Sequence, residues 1–230
     1  MSAQFVFDLA AAPALGREDF LVSPANGMAV RMLSDRSRWP DRKLLLVGPR
    51  ASGKSHLSGI WADESGAWRL TGGDLGDETG PAGGPAAVLV DDADLVAGRP
   101  VAEALLFHLH NRVLSEGGFL LMTASAPPSA WGLRLPDLLS RMEATSRAVL
   151  APPDDALLAA LLVKLFADRQ LSVAPNLVSY ATSRIDRSFA GARDFVARLD
   201  ALALATGRPV TRALAAVLLG DGLDSEAQGR

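Results

Sequence analysis

The chain lacks several features that would point to particular classes of protein. Its 230 residues include no cysteine, which excludes disulfide bonds and thiolate metal sites and favours a cytoplasmic protein. No apolar run is long enough to cross a membrane, and residues 1–15 lack the basic start of a signal peptide. The net charge of −3 has the wrong sign for a broad basic face on duplex DNA, so we expect no strong intrinsic DNA binding. Hydrophobic residues make up 49% of the chain, which is enough for a folded core.

A complete phosphate-binding pattern, G-x-x-x-x-G-K-[ST], occupies residues 48–55. It follows an apolar run with the character of a buried strand, and strand, glycine-rich turn and helix start are the context that the pattern requires. The glycines let backbone N–H groups curl around phosphates, Lys54 would reach the outer phosphates, and the Ser55 hydroxyl would bind Mg²⁺. We therefore predict a nucleotide site formed by Gly48, Pro49, Arg50, Ala51, Ser52, Gly53, Lys54, Ser55 and His56.

Apolar strands alternate with helices through the first two thirds of the chain. Strands are predicted at residues 43–48, 68–71, 86–90, 119–123 and 148–150. Helices are predicted at residues 24–37, at 101–115 and directly after the phosphate loop. This alternation indicates an α/β fold with a parallel sheet and helices on both faces.

Beyond residue 151 the pattern becomes helical only. Caps and breakers predict four helices, at residues 154–169, 175–184, 188–205 and 211–220. Four helices after an α/β core would form a small lid. The predicted parts are an arm at 1–19, a nucleotide-binding domain at 20–151, a lid at 152–220 and a disordered tail at 221–230.

Two aspartates, Asp91 and Asp92, end the third predicted strand in the form of a Walker B element. In phosphate-loop enzymes the first acid holds Mg²⁺ through water and the second orients the attacking water. Aspartates at strand ends are also common helix caps, but the intact phosphate loop upstream favours metal binding. We predict Ser55 and Asp91 as the metal site, and Asp91 and Asp92 as catalytic residues.

Three further polar residues are candidates for contact with a nucleotide. Ser125 follows the fourth strand, where a hydroxyl either touches the terminal phosphate or only closes the strand end. Arg141 precedes the last strand and is either a solvated charge or a finger inserted into a neighbouring molecule's site. Arg193 lies early in the third lid helix, from which it could fold onto the phosphates of its own site.

Together these motifs resemble AAA+ ATPases and, within them, the replication-initiator family of DnaA and its short homologue Hda. The resemblance covers residues 20–219. It is carried by the run Gly53-Lys54-Ser55-His56-Leu57, the Asp-Asp Walker B and the segments 107–112, 123–128, 139–142 and 191–194. It implies ADP or ATP with Mg²⁺ as the ligand, Ser125 in the sensor I stretch, Arg141 as an arginine finger and Arg193 as the sensor II arginine.

Departures from the initiator pattern indicate which member of this family the chain resembles. The family usually has an acidic residue where Ser125 stands, and a glycine-rich and aspartate-rich loop at 71–87 replaces the insert that carries its single-strand DNA contacts. The chain also ends after the lid, without a helix-turn-helix domain. The resemblance therefore implies an Hda-like regulator that hydrolyses ATP only weakly by itself and switches off its partner DnaA. Whether it forms a homodimer stays open.

The N-terminal arm contains the hexapeptide Gln4-Phe5-Val6-Phe7-Asp8-Leu9. It looks like the glutamine-led hydrophobic peptides that dock on the bacterial sliding clamp, where an extended chain places an amide and apolar side chains in adjacent pockets. Alone, the hexapeptide fits an edge strand or a staple on the core equally well. With the family resemblance it predicts clamp binding through Gln4, Phe5, Phe7 and Leu9.

Two rival functions stay open at this point. An autonomous ATPase, such as a helicase-loader-like motor, would use Asp91 and Asp92 for its own turnover and would hydrolyse ATP without partners. An accessory DNA-binding protein would use the arginines of the lid, and its DNA affinity would depend strongly on salt.

Overall fold

A parallel sheet forms the centre of the computed structural model, which describes residue 22 and residues 26–76 and 86–220. Its five strands are β1 (Lys43–Val47), β2 (Trp68–Thr71), β3 (Ala87–Asp91), β4 (Phe119–Ala124) and β5 (Arg147–Val149). The order across the sheet is β2-β3-β4-β1-β5, and every neighbouring pair is parallel. Because β1 is central and the chain leaves its carboxyl end after Val47, the phosphate loop lies above the middle of the sheet.

Helices cover both faces of the sheet, as the unbroken apolar pattern of its strands predicts. They are α1 (Gly27–Ser34), α2 (Lys54–Ser65), α3 (Pro100–Ser115) and α4 (Pro136–Glu143). Alternate residues of β1 serve opposite faces: Leu44 and Leu46 pack with α1 and α2, whereas Leu45 and Val47 pack with α3 and α4. The α/β fold with helices on both faces is confirmed.

The lid has a hydrophobic core of its own. Its helices are α5 (Asp155–Asp168), α6 (Pro175–Thr182), α7 (Phe189–Thr206) and α8 (Arg212–Leu219). Phe166, Phe195 and Leu199 are buried among them. Side chains cap three of these helices, because Asp154, Ser188 and Thr211 each accept a bond from a backbone N–H of the first turn.

Element boundaries agree with the sequence predictions to within a few residues, with two differences. The helix predicted to reach residue 37 ends at Ser34, because Asp35 engages Ser37 and Arg38 through its side chain and favours a separate turn. The eight-residue helix α4 was not predicted from the sequence. None of the helices in the described ranges is long and apolar enough to cross a membrane.

Candidate nucleotide-binding site

The phosphate loop joins β1 to α2 through backbone conformations that favour glycine. Gly53 has φ +94°, in the left-handed region, and Ala51 has φ +59°. A Cβ added at Gly48 would lie 2.6 Å from the Leu150 carbonyl oxygen and 2.7 Å from Ser52 Oγ. The loop therefore needs glycine at position 53 for its dihedral angles and at position 48 for space.

Two buried polar side chains of the loop face the interior that a phosphate would enter. Lys54 Nζ donates to the carbonyl oxygens of Gly48 (2.8 Å) and Pro49 (2.9 Å), and the lysine is only 6% exposed. Ser52 Oγ is buried and has no hydrogen-bond partner among the residues that the structure describes. A phosphate oxygen can supply a partner to Ser52 and to the lysine ammonium together. The residues present therefore fit the phosphates of a nucleotide.

Thr123, at the end of β4, holds the two Walker B aspartates. Its hydroxyl donates to Asp91 Oδ1 and accepts the backbone N–H of Asp92 at 2.9 Å. Asp92 has φ +47°, so the chain turns sharply directly after β3. The sequence indicated a polar strand end here, but the predicted contact with the nucleotide was assigned to Ser125. Adjacency of β3 and β4 in the sheet, which brings their carboxyl ends together, is the signal that identifies Thr123.

Burial raises the pKa of Asp92, and the nearby carboxylate of Asp91 raises it further. The positive charges of Lys54 and Arg50 oppose this rise, while Asp94 adds to it. A carboxylate with a raised pKa accepts a proton or a hydrogen bond from water more readily. The predicted role of Asp92, to orient an attacking water, requires such a carboxylate and stays a prediction.

Ser55 and Asp91, the two residues predicted to bind Mg²⁺, line one cavity of about 250 Å³ between α2, β2 and β3. Asp74 lines the same cavity and accepts a bond from Thr71 Oγ1. Within the described ranges no group of three or more His, Cys, Asp or Glu side chains could hold a metal ion unaided. Mg²⁺ keeps several waters and commonly binds through substrate phosphates, so Ser55 and Asp91 fit it only together with a nucleotide.

Ser125 is paired with a third acid. Both its backbone N–H (3.0 Å) and its hydroxyl donate to Asp94 Oδ2, on the short turn that follows Asp92. Its hydroxyl is therefore engaged within the chain. The prediction that Ser125 contacts the nucleotide stays a prediction.

Arg193 and His56 lie on helices that begin at the phosphate loop. His56 is half-buried in the first turn of α2. Arg193 is exposed in the second turn of α7, whose first residue, Phe189, donates its backbone N–H to the Ala51 carbonyl oxygen at 3.1 Å. The lid is thereby attached directly to the loop, and the prediction that Arg193 contacts phosphates stays a prediction.

Arg141 is exposed in the last turn of α4, and its guanidinium lies over the Phe107 ring of α3. Both Arg141 and Lys43 lower the pKa of the buried His110, whose largest perturbation is desolvation. The Arg141 carbonyl accepts a bond from Thr145 Oγ1 at 2.8 Å, two residues before β5 begins beside β1 in parallel, so Arg141 lies toward the amino end of the sheet. The structure thus brings the loop, Asp91 and Asp92 together and places Arg141 away from them. Gln4, Phe5, Phe7 and Leu9 lie outside the described residues.

Solved structures with the same fold are known. Domain III of the replication initiation protein DnaA from Thermotoga maritima superposes with a TM-score of 0.76 at 19% identity, covering 92% of this chain and 98% of that one. The FIGL-1 AAA domain in complex with ADP gives 0.62 at 13% identity, covering 89% and 86%. The chain has the AAA+ fold. AMPPCP-bound DnaA from Aquifex aeolicus gives 0.69 at 14% identity, covering 80% and 64%.

Sequence comparison points to the same group of proteins. No protein-family model matches the chain. It is 27% identical over 139 residues to the chromosomal replication initiator protein DnaA of Thermomicrobium roseum, and 28% identical over 134 residues to that of Cutibacterium acnes. These matches cover 59% and 58% of this chain but only 29% and 27% of the initiators. The similarity to DnaA therefore concerns less than a third of the curated relatives' length.

Proposed function

We propose that this chain binds ADP or ATP with Mg²⁺ at the phosphate loop. Three observations support the proposal: the burial of Lys54, the Ser52 hydroxyl that finds no partner within the described part of the chain, and the cavity lined by Ser55 and Asp91. AMPPCP in a DnaA of the same fold and ADP in the FIGL-1 domain are the corresponding ligands of structural neighbours. Bound there, the nucleotide would supply the phosphate oxygens that complete the coordination of Mg²⁺.

We further propose that the chain acts as an Hda-like negative regulator of a DnaA-type initiator. The observation that carries this proposal is the position of Arg141 at the end of the sheet opposite the chain's own phosphate loop. The Arg141 carbonyl accepts a bond from Thr145, just before the start of β5, and β5 runs parallel to β1, whose carboxyl end leads into the loop. The four steps from Lys43 to Val47, at about 3.3 Å each, separate the two ends by roughly 13 Å, which an arginine side chain does not span.

An arginine that cannot serve its own site can serve a neighbour's. The Arg141 guanidinium is exposed and is oriented by the Phe107 ring 5.0 Å away. Presented to the ATP site of an initiator molecule, it would stabilise the charge that develops on the transferring phosphoryl group. Fingers supplied in trans raise hydrolysis rates by about 10³–10⁵. This is enough to convert a lasting ATP state of the initiator into an ADP state.

The proposed encounter takes place at the sliding clamp. The arm residues Gln4, Phe5, Phe7 and Leu9 would dock on the clamp as an extended peptide, which raises the local concentration of the regulator at replicating DNA. This part of the proposal is supported by the sequence pattern alone.

Single-turnover hydrolysis of ATP bound beforehand to the cognate initiator tests this function. The reaction is run with and without this protein, and with and without clamp-loaded DNA. We expect acceleration only when protein and clamp are both present, and loss of that acceleration in a Gln4→Ala, Phe5→Ala double variant. Acceleration without the clamp would remove the docking role, and no acceleration under any condition would contradict regulation of the initiator.

An autonomous ATPase is the second candidate, favoured by the ordered pair Asp91 and Asp92 beside an intact Lys54. It predicts steady-state ATP hydrolysis by the protein alone, abolished in Asp92→Asn. Clear turnover without partners, together with no effect on the initiator, would favour this function over the regulator.

A further inference from the structure

The first residue of helix α7 contacts the phosphate loop in two ways. The backbone N–H of Phe189 donates to the carbonyl oxygen of Ala51 at 3.1 Å. Two ring atoms of Phe189 lie 3.3 Å from the position that a Cβ at Gly53 would occupy. The contact therefore involves the two loop residues with left-handed backbone, Ala51 and Gly53.

The hydrogen bond from Phe189 fixes the orientation of one loop peptide. In a trans peptide the C=O and the following N–H point in opposite directions, and no described peptide is cis. Because the Ala51 carbonyl is directed outward to the lid, the Ser52 N–H is directed inward. Consistent with this, the Ser52 N–H donates to the Pro49 carbonyl oxygen at 3.3 Å, the same oxygen that accepts Lys54 Nζ at 2.9 Å. The peptide is thus held by one hydrogen bond on each side, to the lid through its C=O and within the loop, beside the lysine, through its N–H.

We propose that Phe189 is a positioning residue of the phosphate loop. Its backbone N–H holds the Ala51–Ser52 peptide with the Ser52 N–H on the inner side of the loop, at the Pro49 oxygen that Lys54 also contacts, and its ring keeps the lid against Gly53. The inference rests on the proposed nucleotide binding. It adds a physical reason why the position of the lid and the affinity for the nucleotide should depend on each other. Displacing α7 removes one of the two hydrogen bonds that hold this peptide and weakens phosphate binding, whereas bound phosphate stabilises the attached lid.

The position of Phe189 allows its N–H to be removed without breaking the helix. Phe189 is the first helical residue, where a backbone N–H has no partner within the helix and proline is tolerated. The cap is made by the preceding residue, since Ser188 Oγ accepts the Gly191 N–H at 2.9 Å. Ser188 has φ −148° and ψ 155°, an extended conformation compatible with a following proline.

Phe189→Ala and Phe189→Pro therefore form a matched pair. Both lack the ring, and only the proline variant lacks the N–H. ADP affinity is measured by calorimetry for the wild type and both variants, and adenosine affinity by competition at millimolar concentration. We expect Phe189→Pro to bind ADP about 3–10-fold more weakly than Phe189→Ala, the range for one hydrogen bond, with adenosine affinity equal in the two variants.

Each outcome has a separate meaning. Equal ADP affinities of the two variants, or equal losses for ADP and adenosine, would overturn the role of the N–H while leaving nucleotide binding in place. A wild type that does not bind ADP would instead contradict the proposed function. Amide hydrogen exchange on the wild type needs no variant: the Phe189 amide should be protected and become more protected with ADP. Unchanged exchange on adding ADP would overturn the inference.

Discussion

The guanidinium carbon of Arg141 lies 5.0 Å from the centre of the Phe107 ring, which links the last turn of α4 to the middle of α3. A cation–π contact of this kind at an exposed site contributes about 0.5–1 kcal/mol. That energy restricts the arginine without burying its charge. The side chain is thus held in a defined direction on the surface, as the proposed action on another molecule's site requires.

Glycine at position 48 is expected to be essential for the loop. Gly48→Ala places a Cβ 2.6 Å from a backbone oxygen of Leu150, so loop or strand must move at a cost of about 1–3 kcal/mol. We expect a lower midpoint of urea unfolding and loss of ADP binding.

Gly59 supplies the matched control, because it lies inside α2 and its nearest atom would be Arg69 Nη1 at 4.0 Å. Gly59→Ala should stabilise the protein by about 0.5–1 kcal/mol. Equal stabilities of the two variants would contradict the close approach at Gly48.

The hydroxyl of Thr123 should matter more for stability and for ATP binding than the hydroxyl of Ser125. Thr123→Val leaves the half-buried Asp92 N–H without its partner and releases Asp91, which should lower the free energy of unfolding by about 1–3 kcal/mol and weaken Mg²⁺-dependent ATP binding. Ser125→Ala keeps the backbone bond to Asp94, so ATP affinity should change less than about threefold.

Titration calorimetry with and without Mg²⁺ compares the two variants. A larger loss of affinity in Ser125→Ala than in Thr123→Val would assign the phosphate contact to Ser125 after all.

Stability should fall in mild acid because of His110. Burial lowers its pKa to about 4 from 6.5, so the unfolded chain takes up the proton first as pH falls. The destabilisation begins near pH 6.5, grows until about pH 4 and reaches about 3 kcal/mol.

Urea unfolding between pH 7.5 and 4.5 should therefore show a smaller loss of stability in His110→Leu than in the wild type. The exposed His108, two residues earlier, provides the control variant His108→Gln, which should follow the wild type. Parallel pH profiles for the wild type and His110→Leu would show that the buried imidazole is not the cause.

Local sequence signals predicted most of the fold because the strands are short apolar runs and the helices are closed by caps and glycines. The phosphate loop and Asp91 were found in the same way, since their chemistry is carried by contiguous residues. Helix α4, Pro136–Glu143, was missed because only three of its residues, Leu138, Leu139 and Met142, form its apolar pattern. Thr123 and Phe189 were missed for a different reason: their partners are 32 and 138 positions away, and only strand adjacency and lid packing bring them together.

The central claim, that Arg141 acts in trans on the initiator, is tested most directly with an Arg141→Ala variant. The measured quantity is the rate at which initiator-bound ATP is hydrolysed in the presence of this variant and clamp-loaded DNA. Arg134, exposed on the segment that leads into α4, gives the matched control Arg134→Ala. We predict that Arg141→Ala binds ADP like the wild type but loses the stimulation, about 10³-fold or more, whereas Arg134→Ala retains it. Full stimulation by Arg141→Ala would contradict the proposal that this arginine acts in trans.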